Sequence, residues 1–118
     1  MTKTDLAQSR HNYRALLQES LTSLVEKLKQ REDVVRVSVF GSYARGRADL
    51  FTDLDVLVIM ETPLPFIKRQ ESLYQLLALP VDLDILCYTP QEFESMKLQP
   101  FLRRALRDEK ILYEKKPY

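Results

Sequence analysis

The sequence of 118 residues is poor in glycine and cysteine, with two glycines, one cysteine and no tryptophan. Because Cys87 has no second cysteine to pair with, an internal disulfide is excluded and packing must hold the fold together. The scarcity of cysteine agrees with a reducing compartment. Hydrophobic residues make up 45% of the chain, which excludes general disorder and predicts a sizeable core.

An excess of one charge and long apolar runs are also missing. The formal net charge is +1, so no overall field attracts nucleic acid or an anionic membrane. No run approaches the roughly 20 apolar residues that span a bilayer. The first residues, MTKTDLAQSRHNYR, lack the apolar segment of a signal peptide. We therefore expect a cytoplasmic protein with one domain over residues 1–118 and no membrane contact.

Hydrophobic periodicity predicts the elements of the first two thirds of the chain. Leucine and valine recur three and four positions apart, which predicts a helix over about residues 5–31. Alternation and β-branched residues predict a strand over 34–40, and the apolar run DVLVIM predicts a strand covered on both faces. A second helix from Phe66, closed by Pro80, precedes a third strand with the sequence VDLDILCY.

The last third begins with a helix-start signal. Thr89 is a capping residue, Pro90 suits the first turn, and Glu92 stands where a capping-box acid belongs. A further helix is expected after Pro100 through FLRRALRD, and ILYE is expected to form a short edge strand. The resulting order predicts an α/β (α+β) fold, in which a small mixed β-sheet is packed with helices.

Both glycines lie in the segment VFGSYARGRADLFTDLDVLVIM, residues 39–60. A strand runs into Gly41 and Ser42, where glycine permits close approach of the backbone to a ligand. Amides at the start of a short helix attract anions, and the Ser42 hydroxyl adds a hydrogen bond. Arg45 and Arg47 follow as cationic groups for phosphate oxygens. Taken alone, Gly-Ser after a strand is more often an ordinary turn.

Paired acids follow this segment and recur in the third predicted strand. Asp53 and Asp55 are two residues apart, so on a strand they share a face, and Asp82 and Asp84 repeat the spacing. An isolated pair more often caps a strand end and pairs with arginine. However, carboxylates on one face repel each other, and a divalent cation removes that repulsion. Three acids from neighbouring strands can hold two metal ions about 3.5–4 Å apart, as in nucleotidyl displacement.

Together these residues resemble a known signature. Gly-Ser, ten intervening residues and DLD resemble the motif of the DNA polymerase beta-like nucleotidyltransferase superfamily. The stretch FGSYARGRADLFTDLDVLV is similar to its smallest members, the minimal nucleotidyltransferases, called MNT proteins. The resemblance covers most of the chain, including the third acidic strand and YTPQEFE after it. It implies the polymerase beta-like nucleotidyltransferase fold.

The resemblance also implies roles for particular residues. The matches are Gly41 and Ser42 for a phosphate-binding turn, Arg45 and Arg47 for the triphosphate, and Asp53, Asp55 and Asp84 for catalytic metal binding. Asp84 matches the family's third acid because it lies mid-strand shortly before the Thr-Pro helix start, and Asp82 stays open as the alternative. The family implies two Mg²⁺ ions as cofactors and ATP as substrate.

The same family suggests who receives the nucleotide. Many MNT proteins are antitoxins that act with a HEPN protein, a helical ribonuclease toxin, and transfer AMP from ATP to a tyrosine of that toxin. The resemblance therefore implies a HEPN partner and magnesium-dependent protein adenylylation. A non-catalytic binding module that masks its partner is an alternative, as is nucleotidyl transfer to a small molecule or an RNA end. The sequence gives no direct evidence for nucleic-acid binding.

Overall fold

The computed structural model describes residues 3–116. Along this part of the chain the elements are α1 (Lys3–Lys29), β1 (Val34–Phe40), α2 (Gly41–Ala44), β2 (Leu54–Met60), α3 (Phe66–Leu77), β3 (Leu83–Tyr88), α4 (Pro90–Met96), α5 (Pro100–Ala105), a 3₁₀ turn (Leu106–Asp108) and β4 (Lys110–Glu114). None of the helices within 3–116 combines the length and the apolar character needed to cross a membrane.

The four strands form one mixed sheet with the order β3-β2-β1-β4. β1 is antiparallel to both β2 and β4, whereas β2 and β3 are parallel. A parallel pair needs a crossover connection, and α3 supplies it. This arrangement confirms the predicted mixed sheet and places the ILYE segment at one edge.

The first face of the sheet is covered by α1 and α3. Leucines spaced three and four residues apart along α1 are buried: Leu17, Leu21, Leu24 and Leu28. They join alternate residues of the central strands, such as Val37 and Val56, in one cluster. Burying each such side chain contributes about 1.5–3 kcal/mol. The predicted first helix is therefore confirmed, although it ends at Lys29, two residues earlier than expected.

The second face is covered by α4 and α5. Their Phe93 and Leu102 pack with Leu57, Ile59 and Tyr88, which alternate with the residues of the first face. The predicted capping box is confirmed. The Thr89 hydroxyl accepts a hydrogen bond from the Glu92 backbone N–H at 3.2 Å, and the Glu92 carboxylate accepts one from the Thr89 N–H at 2.8 Å.

Three element boundaries differ from the sequence expectation. The third strand begins at Leu83, because the residues before it form the connection from α3. α3 ends at Leu77, before Pro80, since Ala78 already adopts the left-handed region with φ 36°. The last predicted helix splits into α5 and the 3₁₀ turn, so FLRRALRD is not one continuous α-helix.

Candidate active site

The sheet topology gathers acids at one end of the two parallel strands. Because β1 is antiparallel to β2 and β3 is parallel to β2, the end of β1 and the starts of β2 and β3 lie at the same end of the sheet. Phe40 faces Asp55 across β1 and β2, and Asp55 faces Asp84 across β2 and β3. Residues that face each other share a side of the sheet, and neighbouring strands lie about 4.7–4.9 Å apart. Asp55 and Asp84 are therefore neighbours on the face that α4 and α5 cover farther along.

The charges around Asp55 reinforce this placement. Burial raises the pKa of the Asp55 carboxyl, the negative charges of Asp84 and Asp53 raise it further, and Arg45 partly offsets them. Asp82 instead acts on Tyr13, whose pKa is raised first by burial and then by Asp82 and Asp53. Of the two aspartates in the third acidic segment, Asp84 is thus the one whose charge acts on Asp55.

Gly41 is shaped to fit the Asp55 side chain. Its φ is +71°, a left-handed conformation that glycine adopts without strain. A Cβ added there would overlap Asp55 Oδ2 and lie 3.1 Å from Asp55 Cγ. The sequence predicts that a phosphate approaches the backbone at Gly41. In the structure, the Asp55 carboxylate occupies the space that a side chain at Gly41 would take.

The second glycine, Gly46, ends the short helix α2. Gly46, with φ +97°, ends α2 by the usual left-handed glycine cap. Its N–H donates to the Tyr43 carbonyl at 2.9 Å, and the Arg47 N–H donates to the Ser42 carbonyl at 3.0 Å. The sequence YARG, residues 43–46, was expected to form a short helix, but the helix lies earlier, at Gly41–Ala44, because Gly46 ends it.

The two predicted phosphate-contacting arginines lie in different surroundings. Arg45 is close enough to Asp55 to lower its pKa, and Arg45 Nη1 lies 3.5 Å from Asp108 Oδ2. Arg47 Nε instead donates to Asp49 Oδ2 at 2.6 Å. The structure therefore brings Arg45 toward the acids, while Arg47 is engaged by the turn that precedes them.

That turn, residues 49–52, supports the start of β2 from outside the site, and the sequence analysis did not predict it. Asp49 Oδ1 accepts from the Phe51 N–H at 2.8 Å, and the Asp49 N–H donates to Thr52 Oγ1 at 3.0 Å. The hydrogen bond from Arg47 is the main cause that lowers the pKa of Asp49 to about 2. The available signal was an aspartate two residues before the turn amide, a spacing typical of Asx-turns.

A second missed contact ties α1 to the site. The Tyr13 hydroxyl donates to the Thr52 carbonyl at 3.0 Å, immediately before Asp53. Nothing in the sequence marks this contact, because the two residues are 39 positions apart.

The acids converge without completing a metal cage. Within the described residues, no three histidine, cysteine, aspartate or glutamate side chains are grouped so that they could hold a metal ion. The arrangement offers oxygen donors on one face, a small-residue turn beside them and a cation nearby, which together suit a phosphate-bearing ligand.

Comparisons with known proteins agree with this geometry. Residues 21–113 match the family model described as nucleotidyltransferase domain. The chain is 41% identical over 70 residues to the protein adenylyltransferase MntA of Thermococcus cleftensis, which covers 57% of this chain and 71% of that protein.

Two solved complexes share the fold. One is a toxin-antitoxin structure with AMP-PNP, at TM-score 0.57 and 24% identity, covering 83% of this chain and 73% of the other. The other contains the tri-AMPylated HEPN toxin of Shewanella oneidensis with an MNT antitoxin, at TM-score 0.53 and 21% identity, covering 83% and 72%. The family match extends over most of the chain, and MntA is matched over more than two thirds of its length. The chain therefore belongs to the nucleotidyltransferase domain family and is similar to the protein adenylyltransferase MntA.

Proposed function

We propose that this nucleotidyltransferase transfers AMP from ATP to a tyrosine hydroxyl of a HEPN-type toxin, depends on Mg²⁺, and acts as the toxin's antitoxin. The observation that carries the proposal is the register that sets Asp55 beside Asp84, with Gly41 making room for the Asp55 carboxylate. Asp55 is half-buried and Asp84 is exposed, and two like charges set side by side are costly to maintain in a small protein. The pair is therefore a candidate for function.

Asp53, Asp55 and Asp84 are the residues that would hold Mg²⁺, although their side chains are not grouped as a metal site within the described residues. They are carboxylate oxygen donors. Burial raises the pKa of Asp55 and the charges of Asp84 and Asp53 raise it further, so a divalent cation among them would offset this repulsion. When bound, Mg²⁺ would neutralise phosphate charge and favour ionisation of the attacking hydroxyl, and three acids could hold two ions.

The remaining residues would bind and orient the nucleotide. The Ser42 hydroxyl follows directly on Gly41 and is available to donate to a phosphate oxygen. The Arg45 guanidinium, already within the electrostatic reach of Asp55, would offset charge on the triphosphate. Arg47 would act after exchanging its present partner, Asp49. Pyrophosphate leaves from the side of the α-phosphorus opposite to the attacking hydroxyl.

The acceptor is proposed from the relatives. MntA of Thermococcus cleftensis is a protein adenylyltransferase, and the solved Shewanella complex contains an AMPylated HEPN toxin. A matching acceptor for this chain would present a tyrosine hydroxyl at the open end of β2 and β3.

The test is transfer of label from ATP labelled on its α-phosphate to a purified HEPN-type protein of the same organism. We expect labelling that depends on magnesium. Its rate should fall by about 10²-fold or more in Asp55→Asn and in Asp84→Asn. Label on the γ-phosphate should not transfer. Asp82→Asn is the matched control, and it should stay within a few-fold of the wild type.

Other outcomes would replace the proposal. If the wild type transfers no label and Asp55→Asn still neutralises the toxin, the chain is a binding module. If added RNA takes the label and protein does not, the acceptor is an RNA end. An acceptor tyrosine-to-phenylalanine variant that is still labelled would contradict the assignment of tyrosine.

A further inference from the structure

Phe51 is an apolar side chain displayed beside the acids. It is 84% exposed, and its neighbour Leu50 is 38% exposed. Single exposed leucines are common on protein surfaces, but a nearly bare phenylalanine forgoes one of the largest gains from burial. This residue lies two positions before Asp53, at the open end of β2.

The backbone that carries Phe51 is held in place. The Phe51 N–H donates to Asp49 Oδ1 at 2.8 Å, and the Thr52 N–H donates to the Asp49 carbonyl at 3.1 Å. Thr52 is fully buried, and its carbonyl accepts from the Tyr13 hydroxyl. The exposed ring is thus presented by an ordered turn, which reduces the entropy lost when a partner covers it.

From these observations we propose that Phe51, supported by Leu50, is the anchor that docks the acceptor protein. The inference rests on the proposed transfer to a protein, and it adds the kind of surface that the acceptor offers. That surface is an apolar concavity next to the acceptor hydroxyl. Exposed, preorganised aromatic residues at a contact commonly carry a large share of its affinity.

A protein acceptor fits the pair better than the nucleobase of ATP. Gly41 and Ser42 follow the end of β1, whereas Phe51 lies in the turn that leads into β2, so the ring is carried by a different segment from the predicted phosphate-binding turn. Leu50 next to Phe51 extends the apolar surface beyond a single ring. Two adjacent apolar side chains suit a concave protein surface, while a flat base needs only one ring face.

The experiment compares Phe51→Ala with Ile67→Ala in steady-state transfer to the purified HEPN-type protein of the same organism. Ile67 is a matched control, because it is 65% exposed on α3, which packs on the opposite face of the sheet. We expect Phe51→Ala to raise the KM for the acceptor by about tenfold or more. Its kcat and its KM for ATP should stay within about twofold of the wild type. Ile67→Ala should change none of these constants, and Phe51→Met should recover most of the loss.

Two results would overturn the proposal that Phe51 anchors the acceptor. One is an acceptor KM unchanged in Phe51→Ala, and the other is a rise in the KM for ATP instead, which would assign the ring to the base.

Should the wild type transfer nothing, the proposed function fails, and titration of the same two proteins without nucleotide still decides the anchor. A complex weakened about tenfold by Phe51→Ala supports it, and equal affinities overturn it.

Discussion

At the scale of single residues, the ionised carboxylate of Asp55 lowers the stability of the folded protein. Burial and the neighbouring Asp84 and Asp53 raise the pKa of Asp55 above the ordinary 3.8, so the folded state disfavours the ionised carboxylate. The cost is absent below pH 3.8, where the acid is protonated in both states. It grows as pH rises through the raised pKa and is complete above it.

Asp55→Asn should therefore stabilise the protein while it removes activity. In a chelated buffer at pH 7 we expect its Tm to exceed that of the wild type by a few degrees, and the gap should vanish near pH 4. Added Mg²⁺ should raise the Tm of the wild type and not that of the variant. Thermal unfolding followed by circular dichroism measures both. A variant that is less stable than the wild type at pH 7 would contradict this account of the charge.

The same residues show what the sequence can predict at this scale. The spacing of Asp53 and Asp55 and the position of the Gly-Ser pair are local, so a site could be anticipated there. The fit of Asp55 against Gly41 depends on the pairing of β1 with β2, which no local pattern records.

At the scale of elements, the strand that carries the acids is fastened by a helix far away in sequence. The Tyr13 hydroxyl of α1 donates to the Thr52 carbonyl, and Thr52 also closes the turn that begins at Asp49. Because burial raises the pKa of Tyr13, this hydroxyl keeps its proton, and so its role as donor, beyond the ordinary pKa of 10.0. The link to the start of β2 therefore persists into the alkaline range.

Tyr13→Phe should loosen this link without disturbing the core. We expect a loss of about 0.5–1.5 kcal/mol in the free energy of unfolding, measured by urea denaturation. Hydrogen exchange at residues 52–54 should become faster, because the start of β2 opens more often. Tyr43→Phe is the control, since its hydroxyl lies 3.5 Å from Gln18 Oε1 on the exposed surface, and it should cost less. Equal effects of the two variants would argue against a special role for Tyr13.

Elements were predicted where periodicity or capping is strong, as in α1, β1 and α4. The boundaries that moved were set by neighbours in the fold. The left-handed Ala78 ends α3 before Pro80, and the 3₁₀ turn lets Glu109 reach Arg36 and Ser38 on β1. Such contacts bring together residues more than 70 positions apart, so they lie beyond any sequence window.

At the scale of the molecule, one face of the sheet contributes mainly to stability, and the other also carries the acids. The α1 and α3 face buries the larger cluster, which includes Leu24 at 0% exposure. The face of α4 and α5 buries a smaller cluster, which includes Leu102 at 2% exposure and shares its side with Asp55 and Asp84. Folding free energy comes mainly from the first face, while the second also frames the acids.

Leu24→Ala and Leu102→Ala should separate these contributions. Each removes a buried leucine and should cost about 2–5 kcal/mol in urea unfolding. Since the two sites lie on opposite faces, the costs should add to within about 0.5 kcal/mol in the double variant. Assayed well below both midpoints, Leu24→Ala should keep nucleotidyl transfer within about twofold. Leu102→Ala should lose more transfer activity, because α5 then packs less firmly on the face that carries the acids. The reverse order of activities in folded samples would mean that the α1 face, and not the α5 face, positions the site.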